Sequence, residues 1–180
     1  HSDTSYYLIS DAFRVLTNID SSSARIHLDS LLNVDSHNDV IRKSALSYFG
    51  FVKNYKNYNR LKSLVEYGKF SWSSRPTIIT ELGKYQKSFP KTLSFLLNFL
   101  NDNDRFVRMA VIKQIGMYGS KAHFNLLDSA VESDPVLSIN ARSAKENILK
   151  KKSAKHIKSD KDLNNDLRRK LNEIKNILNN

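Results

Sequence analysis

The chain has 180 residues, a hydrophobic content of 40% and a formal net charge of +11. It contains no Cys, which excludes a disulfide framework and a thiolate metal site. No run approaches the roughly 18 apolar residues of a membrane span and no signal peptide opens the sequence, so we expect a soluble, cytoplasmic protein without membrane contacts.

The length limits the number of domains that the chain can form, and the basic charge indicates the kinds of partner that it can bind. A domain of this size buries about 70% of the surface that its unfolded chain exposes, so one stable domain is expected. A basic balance favours nucleic acid or an acidic protein as partner, and it is also typical of an ordinary solvated surface. Because the first residue is His1 rather than Met, we expect a piece of a longer chain.

The spacing of apolar residues predicts pairs of amphipathic helices in the first part of the chain. The first pair is predicted near 4–18 and 22–34. The second is predicted near 38–53 and 58–67, with a break at 54–57.

Three further units follow. The serine-rich segment 71–74 is predicted to cap a helix that has Pro76 in its first turn, and a second helix is expected after Pro90. The remaining predicted helices span 101–118, 121–132 and about 135–150.

The end of the chain differs in composition. Segment 150–161 has almost no apolar residues, which predicts a mobile linker or a weakly held helical extension. The last predicted helix has one apolar stripe, made by Leu163, Leu167, Leu171, Ile174 and Leu178. It either caps the last unit or mediates self-association through 163–178 as a short coiled coil. We therefore divide the chain into a repeat domain, 1–150, and a basic linker with an amphipathic helix, 151–180.

The units repeat at an interval of 33 residues. This interval separates three arginines, Arg42, Arg75 and Arg108. It also separates three glycines, Gly50, Gly83 and Gly116. Two amphipathic helices per unit at such a period are typical of an α-solenoid, in which no unit buries its apolar face alone. The predicted fold class is all-α, a solenoid of helical hairpins.

The repeated residues have alternative roles. The arginines could form a ladder of anion-binding groups, or each could pair with an Asp or a carbonyl of its neighbour. The glycines could end or loosen the first helix of a unit, or allow close helix approach.

Three segments carry a resemblance to a known family. The stretches 3–16, 40–46 and 104–112 resemble HEAT-like repeats. More narrowly, the opening DTSYYLISDAFRVL is similar to the start of the C-terminal helical domain of aminopeptidase N-like zinc metallopeptidases. The resemblance implies a non-catalytic domain whose second helices line a concave surface that covers the peptidase active-site face and shapes peptide access.

The resemblance also implies which groups this chain lacks. The family binds zinc through a His-Glu-x-x-His helix, which does not occur here; the histidines His1, His27, His37, His123 and His156 never stand four apart. We therefore expect no catalytic residue, cofactor or metal in this chain, and zinc only in the catalytic domain of a parent aminopeptidase. The implied partner is that catalytic domain or a peptide substrate.

The alternative is a free-standing scaffold that binds an acidic protein or, less favoured, nucleic acid. Its candidate contacts are Lys150, Lys151, Lys152, Lys155 and Lys158. Trp72, with Tyr67 and Phe70 nearby, could stack on a nucleobase or line a substrate path, or could pack between repeats. A base-excising DNA glycosylase is disfavoured because no clear Trp–Asp–Arg cluster is present.

Overall fold

The structure, a computed structural model, describes residues 3–151 and residue 169. The described chain is helical and contains no strand, which confirms the predicted all-α class. The helices are α1 (Asp3–Ile19), α2 (Ser21–Leu32), α3 (Val40–Phe51), α4 (Tyr55–Leu64), α5 (Arg75–Gly83), α6 (Thr92–Leu97), α7 (Arg105–Tyr118) and α8 (Phe124–Ser133), followed by α9 over 138–151. Short 3-10 turns lie at His37–Asp39, Lys121–His123 and Pro135–Leu137.

The first helices of successive units pack side by side. α1 lies on α3, α3 on α5, and α5 on α7. Second helices fill the spaces between them: α2 contacts α1 and α3, α4 contacts α3 and α5, and α6 contacts α5 and α7. One apolar core runs from Phe13 in the first unit to Ile148 in α9. Each hairpin thus shields the apolar side of the next, as in an α-solenoid.

Side-chain caps set where several helices begin. The Asp20 carboxylate accepts hydrogen bonds from the backbone N–H groups of Ser22 and Ser23 at the start of α2. Asp104 caps α7 by accepting from the N–H of Phe106. These bonds satisfy backbone donors that have no partner within the helix.

Two local predictions were wrong. Segment 54–57 was predicted as a break, but α4 begins at Tyr55 because the Asn54 side chain accepts the N–H of Asn57, 2.8 Å away. Ser74 was predicted to cap α5, yet it forms no side-chain cap bond. Its hydroxyl instead donates to Asp39 Oδ2 of the preceding unit at 3.0 Å, and the Ser71 hydroxyl donates to the same oxygen. A carboxylate in the preceding unit thus outcompetes the local backbone.

The predicted linker and amphipathic helix of 151–180 lie outside the described residues, apart from Lys151 and Arg169. The domain division at 150 and the self-association through 163–178 stay predictions.

Candidate partner-binding groove

A groove of about 600 Å³ crosses the first helices of four successive units. We call it the first-helix groove. Lys43 of α3 lies at one end and Asn147 of α9 at the other, with residues of α5 and α7 between them. The second helices were predicted to line the binding surface, so the location of this groove differs from the prediction.

The groove follows the repeat. Thr77, Ala110 and Ser143 line it and are separated by the repeat interval, so each occupies the same position on its helix. Small side chains at this position leave a depression between the bulkier residues on either side. Repeated small residues were the sequence signal that could have located the groove, but they matter only once the helices are known to lie side by side.

Two aromatic rings form part of the groove wall. Trp72 precedes α5 and Phe106 lies in the first turn of α7; their ring centroids are 5.6 Å apart. Trp72 and Phe106 remain 61% and 52% exposed, respectively. Trp72 thus packs on the next unit with one face and leaves most of its surface open. Large exposed aromatic residues beside a groove are typical of binding surfaces, because they bury much area with little loss of side-chain freedom.

The charge of the groove is positive. Lys43 and Lys113 line it, and none of the described lining residues is Asp or Glu. The amide side chains of Asn140 and Asn147 add hydrogen-bond donors and acceptors. The groove therefore combines an apolar contact area, two cations and amide groups, a set suited to an extended acidic chain rather than to a metal ion.

The three repeated arginines lie away from this groove and bind neighbouring backbone and carboxylate groups. Arg75 Nε donates to the carbonyl of Val65 at 3.0 Å, and its two terminal nitrogens donate to both oxygens of Asp102 at 2.9 and 2.6 Å. Arg42 Nε donates to the carbonyl of Leu32, which stands at the same position as Val65 one unit earlier.

The partners of the other two guanidinium groups differ in position. Arg42 donates to Asp39 at 2.5 Å and to Asp35 at 3.1 Å, both within its own unit. Arg108 donates to Asp134 of the following unit at 2.5 Å. All three side chains therefore already bind carboxylates in the folded chain, and no site for an external anion is formed by them together.

The repeated glycines lie in the last turn of their helices: Gly83 is the final residue of α5, and Gly50 and Gly116 lie one and two residues before the ends of α3 and α7. A Cβ added at Gly116 would stand 2.9 Å from the Cα of Ala144, and one added at Gly83 would meet the Gln114 side chain. At Gly50 it would meet the Glu81 carboxylate. Of the two predicted roles, the contacts fit close approach between successive first helices.

The predicted basic contacts are described only in part. Lys150 is exposed and stands 3.9 Å from Glu146, whereas Lys151 donates to the carbonyl oxygens of Gly116 and Met117 at the end of α7. Burial lowers the pKa of Lys151. Lys152, Lys155 and Lys158 lie outside the described residues.

Burial and pairing shift the pKa values of carboxylates in the inter-unit contacts. Burial raises the pKa of Glu81, and the Lys84 ammonium opposes this shift. Hydrogen bonds from Arg105 and Arg108 lower the pKa of Asp134. Burial alone would raise the pKa of Asp102, but the hydrogen bonds from Arg75 and from the Asp104 backbone hold it below its ordinary value.

Residues 3–151 contain no group of three or more His, Asp or Glu side chains that could hold a metal ion. Within that range no helix is both long and apolar enough to cross a bilayer.

One family model matches part of the chain. Residues 58–146 match the family of HEAT repeats. The chain therefore contains a HEAT-like helical domain. No curated protein and no solved structure matches the chain.

Proposed function

We propose that the chain is a HEAT-like scaffold that binds an acidic, extended segment of another protein in the first-helix groove. HEAT repeats commonly mediate protein interactions, which supports a protein partner in general terms. The observation that carries the narrower proposal is the groove itself, where exposed Trp72 and Phe106 lie beside Lys43 and Lys113 with no lining carboxylate.

The dimensions of the groove favour an extended chain. It crosses four helices, and packed helices lie 8–10 Å apart, so its length is about 30 Å. About nine residues of extended polypeptide span that distance. Asn140 and Asn147 can each donate to and accept from a peptide backbone, while an apolar side chain of the segment packs on Trp72 and Phe106.

Lys150, one of the basic candidate residues, extends this surface. Lys150 lies one helical turn beyond Asn147 on α9 and is 75% exposed. An acidic segment that leaves the groove at its α9 end reaches Lys150 next. The predicted partner-binding role of Lys150 therefore belongs to the same proposal, and Lys152, Lys155 and Lys158 extend it as further proposed contacts.

The single Trp of the chain provides the assay, because Trp72 stands in the groove wall. A capped peptide of about twelve alternating Glu and Leu residues, long enough to span the groove, is titrated while Trp72 fluorescence is recorded. We expect saturable binding that weakens about tenfold in the double variant Lys43→Glu, Lys113→Glu, since two attractive contacts become repulsive. Lys56→Glu on α4, exposed and remote from the groove, is the matched control and should bind normally.

The same titration separates protein from nucleic acid. A single-stranded oligothymidylate of similar length replaces the peptide, and affinity is measured as a function of salt. Tighter binding of the oligonucleotide with a slope of about −0.7 per phosphate contact contradicts the proposal. Equal peptide affinity in the groove variant and in the wild type contradicts it as well.

A second, narrower proposal is the non-catalytic C-terminal domain of an aminopeptidase N-like zinc metallopeptidase. Its support is the opening segment 3–16, whereas the match to HEAT repeats covers 58–146 and does not extend to that segment. The sequence of the parent gene tests it: a His-Glu-x-x-His helix a few hundred residues before residue 1 supports the proposal, and a start codon directly before residue 1 removes it.

A further inference from the structure

The outer side of α1 exposes an apolar stripe. Leu8 is 70% exposed, Val15 52% and Ile19 80%, and Ala12 between them is exposed too. These residues stand at i, i+4, i+7 and i+11, so they form one line along a helix about 25 Å long. We call this line the α1 stripe. It contributes no residue to the first-helix groove.

The repeat shows what kind of surface normally covers such a stripe. One unit later, the equivalent residues of α3 are Ile41, Ala45 and Tyr48, which are only 1%, 0% and 3% exposed. Both α1 and α3 pack on a second helix and on the first helix of the following unit, and within residues 3–151 α3 also packs on α1 of the preceding unit. The difference in exposure is therefore the area that a preceding unit covers, and the shape of the α1 stripe suits another helix.

The opposite end of the described solenoid offers a poor match. Along α9 the exposed positions include one large apolar residue, Ile139, but also the charged residues Arg142, Glu146 and Lys150. Stacking the α9 end of one chain on the α1 stripe of another would bury these charges against Leu8 and Val15, at a desolvation cost that apolar neighbours cannot offset.

We propose that the α1 stripe binds the α1 stripe of a second copy of this chain, antiparallel and around a two-fold axis near Ala12. A two-fold contact places the same patch on both sides, so apolar residues meet apolar residues. The small side chain of Ala12 lets the helices approach closely. The charged flank is self-complementary: Asp11 and Arg14, now 3.0 Å apart within one chain, are reversed on the second copy, so Asp11 of each chain lies near Arg14 of the other.

Sedimentation of the 180-residue chain over a range of concentrations tests this dimer. The wild type is expected to show a monomer–dimer equilibrium. Val15→Asp raises the dimer dissociation constant at least about tenfold, because the two-fold axis places two unpaired carboxylates in the apolar contact. Ile139→Asp, at an exposed isoleucine of α9, is the matched control and leaves the constant unchanged.

Charge reversal tests the orientation. Asp11→Arg alone and Arg14→Asp alone each weaken the dimer, while the double variant Asp11→Arg, Arg14→Asp restores it. Circular dichroism of every variant confirms that the helices are intact. A monomeric wild type, as expected if the α1 stripe belongs against another domain, overturns the proposal. So does a dimer that Leu171→Asp dissociates and Val15→Asp does not, because association then runs through 163–178.

Discussion

At the scale of single residues, the repeated arginine connects units through hydrogen bonds rather than through apolar contact. The side chains of Arg75 and Asp102 are only 3% and 10% exposed, and the bidentate pair joins α5 to the segment before α7. A bidentate guanidinium–carboxylate pair fixes direction as well as distance. Since the same guanidinium also holds the carbonyl of Val65, Arg75 ties three segments together.

The Arg75–Asp102 pair makes stability depend on pH. The folded-state pKa of Asp102 lies below its ordinary value of about 3.9. A carboxyl whose pKa is lowered on folding stabilises the protein above the unfolded-state pKa and loses that contribution as the pH falls through the folded-state pKa. The free energy of unfolding should therefore drop as the pH falls below about 4.

Asp102→Asn tests this dependence by urea unfolding at neutral and acidic pH. At neutral pH the variant should lose about 3 kcal/mol, because Arg75 stays buried without its counter-ion. Between pH 6 and pH 3 its stability should fall less than that of the wild type. Asp134 still titrates in both proteins, so the difference between the two plots of unfolding free energy against pH isolates the contribution of Asp102. Parallel plots would show that protonation of Asp102 does not affect folding.

Pairing with a neighbouring Asp or carbonyl was one of the two roles that the sequence left open for the arginines, and the sequence could not identify the partners. Arg75 pairs with Asp102. One repeat earlier, the residue equivalent to Asp102 is Lys69, a cation that cannot pair with Arg42. Arg42 consequently binds Asp35 and Asp39 in its own unit, and Phe70 covers its guanidinium. One difference between repeats thus decides whether the arginine pairs with a carboxylate of its own unit or with one further along the chain. The regular spacing of the arginines alone does not reveal this.

At the scale of helices, close approach depends on the glycines. Gly116 of α7 faces Ala144 of α9, where an added Cβ would be 2.9 Å from backbone and 3.1 Å from the Ala144 side chain. Backbone atoms of a packed helix cannot rotate away as the end of a side chain can. The separation of the two helices is therefore set by the absence of a side chain at position 116.

Gly116→Ala should reduce the free energy of unfolding by about 1–2 kcal/mol, since overpacking costs about 1–3 kcal/mol and the better helix propensity of Ala recovers up to about 1 kcal/mol. Gly50→Ala is the matched control, because its new methyl group meets the Glu81 and Lys84 side chains, which can rotate. It should cost less. Urea unfolding measures both, and a loss for Gly116→Ala no larger than that for Gly50→Ala would contradict close contact between α7 and α9 at this point.

Helix positions were largely predictable from the sequence, while the groove was not. Periodic apolar residues placed every first helix, because amphipathic spacing is a local property. The first-helix groove depends on how four helices lie relative to one another, and Thr77 or Ser143 alone gives no sign of it. The exposure of Trp72 was equally unpredictable from the sequence. It depends on the position of Phe106, 34 residues later, and not on the residues next to Trp72.

At the scale of the molecule, the solenoid makes each unit depend on its immediate neighbours. Contacts join consecutive units, and the core continues from Phe13 to Ile148 only through these neighbour interactions. Stability in such a chain is approximately a sum of unit and interface contributions, so damage at one end need not reach the other.

Hydrogen exchange followed by mass spectrometry measures this locality. Phe13→Ala removes a buried ring whose centroid lies 6.4 Å from that of the Tyr48 ring. The variant should lose about 3–5 kcal/mol in free energy of unfolding and exchange amide hydrogens faster in α1, α2 and α3. Leu127→Ala, at a fully buried position of α8, is the mirror control and should speed exchange from α7 to α9. Because each variant weakens interfaces that the other leaves intact, the two exchange patterns should differ. Uniform acceleration in both variants would mean that the described units unfold as one cooperative body, with coupling that extends beyond adjacent hairpins.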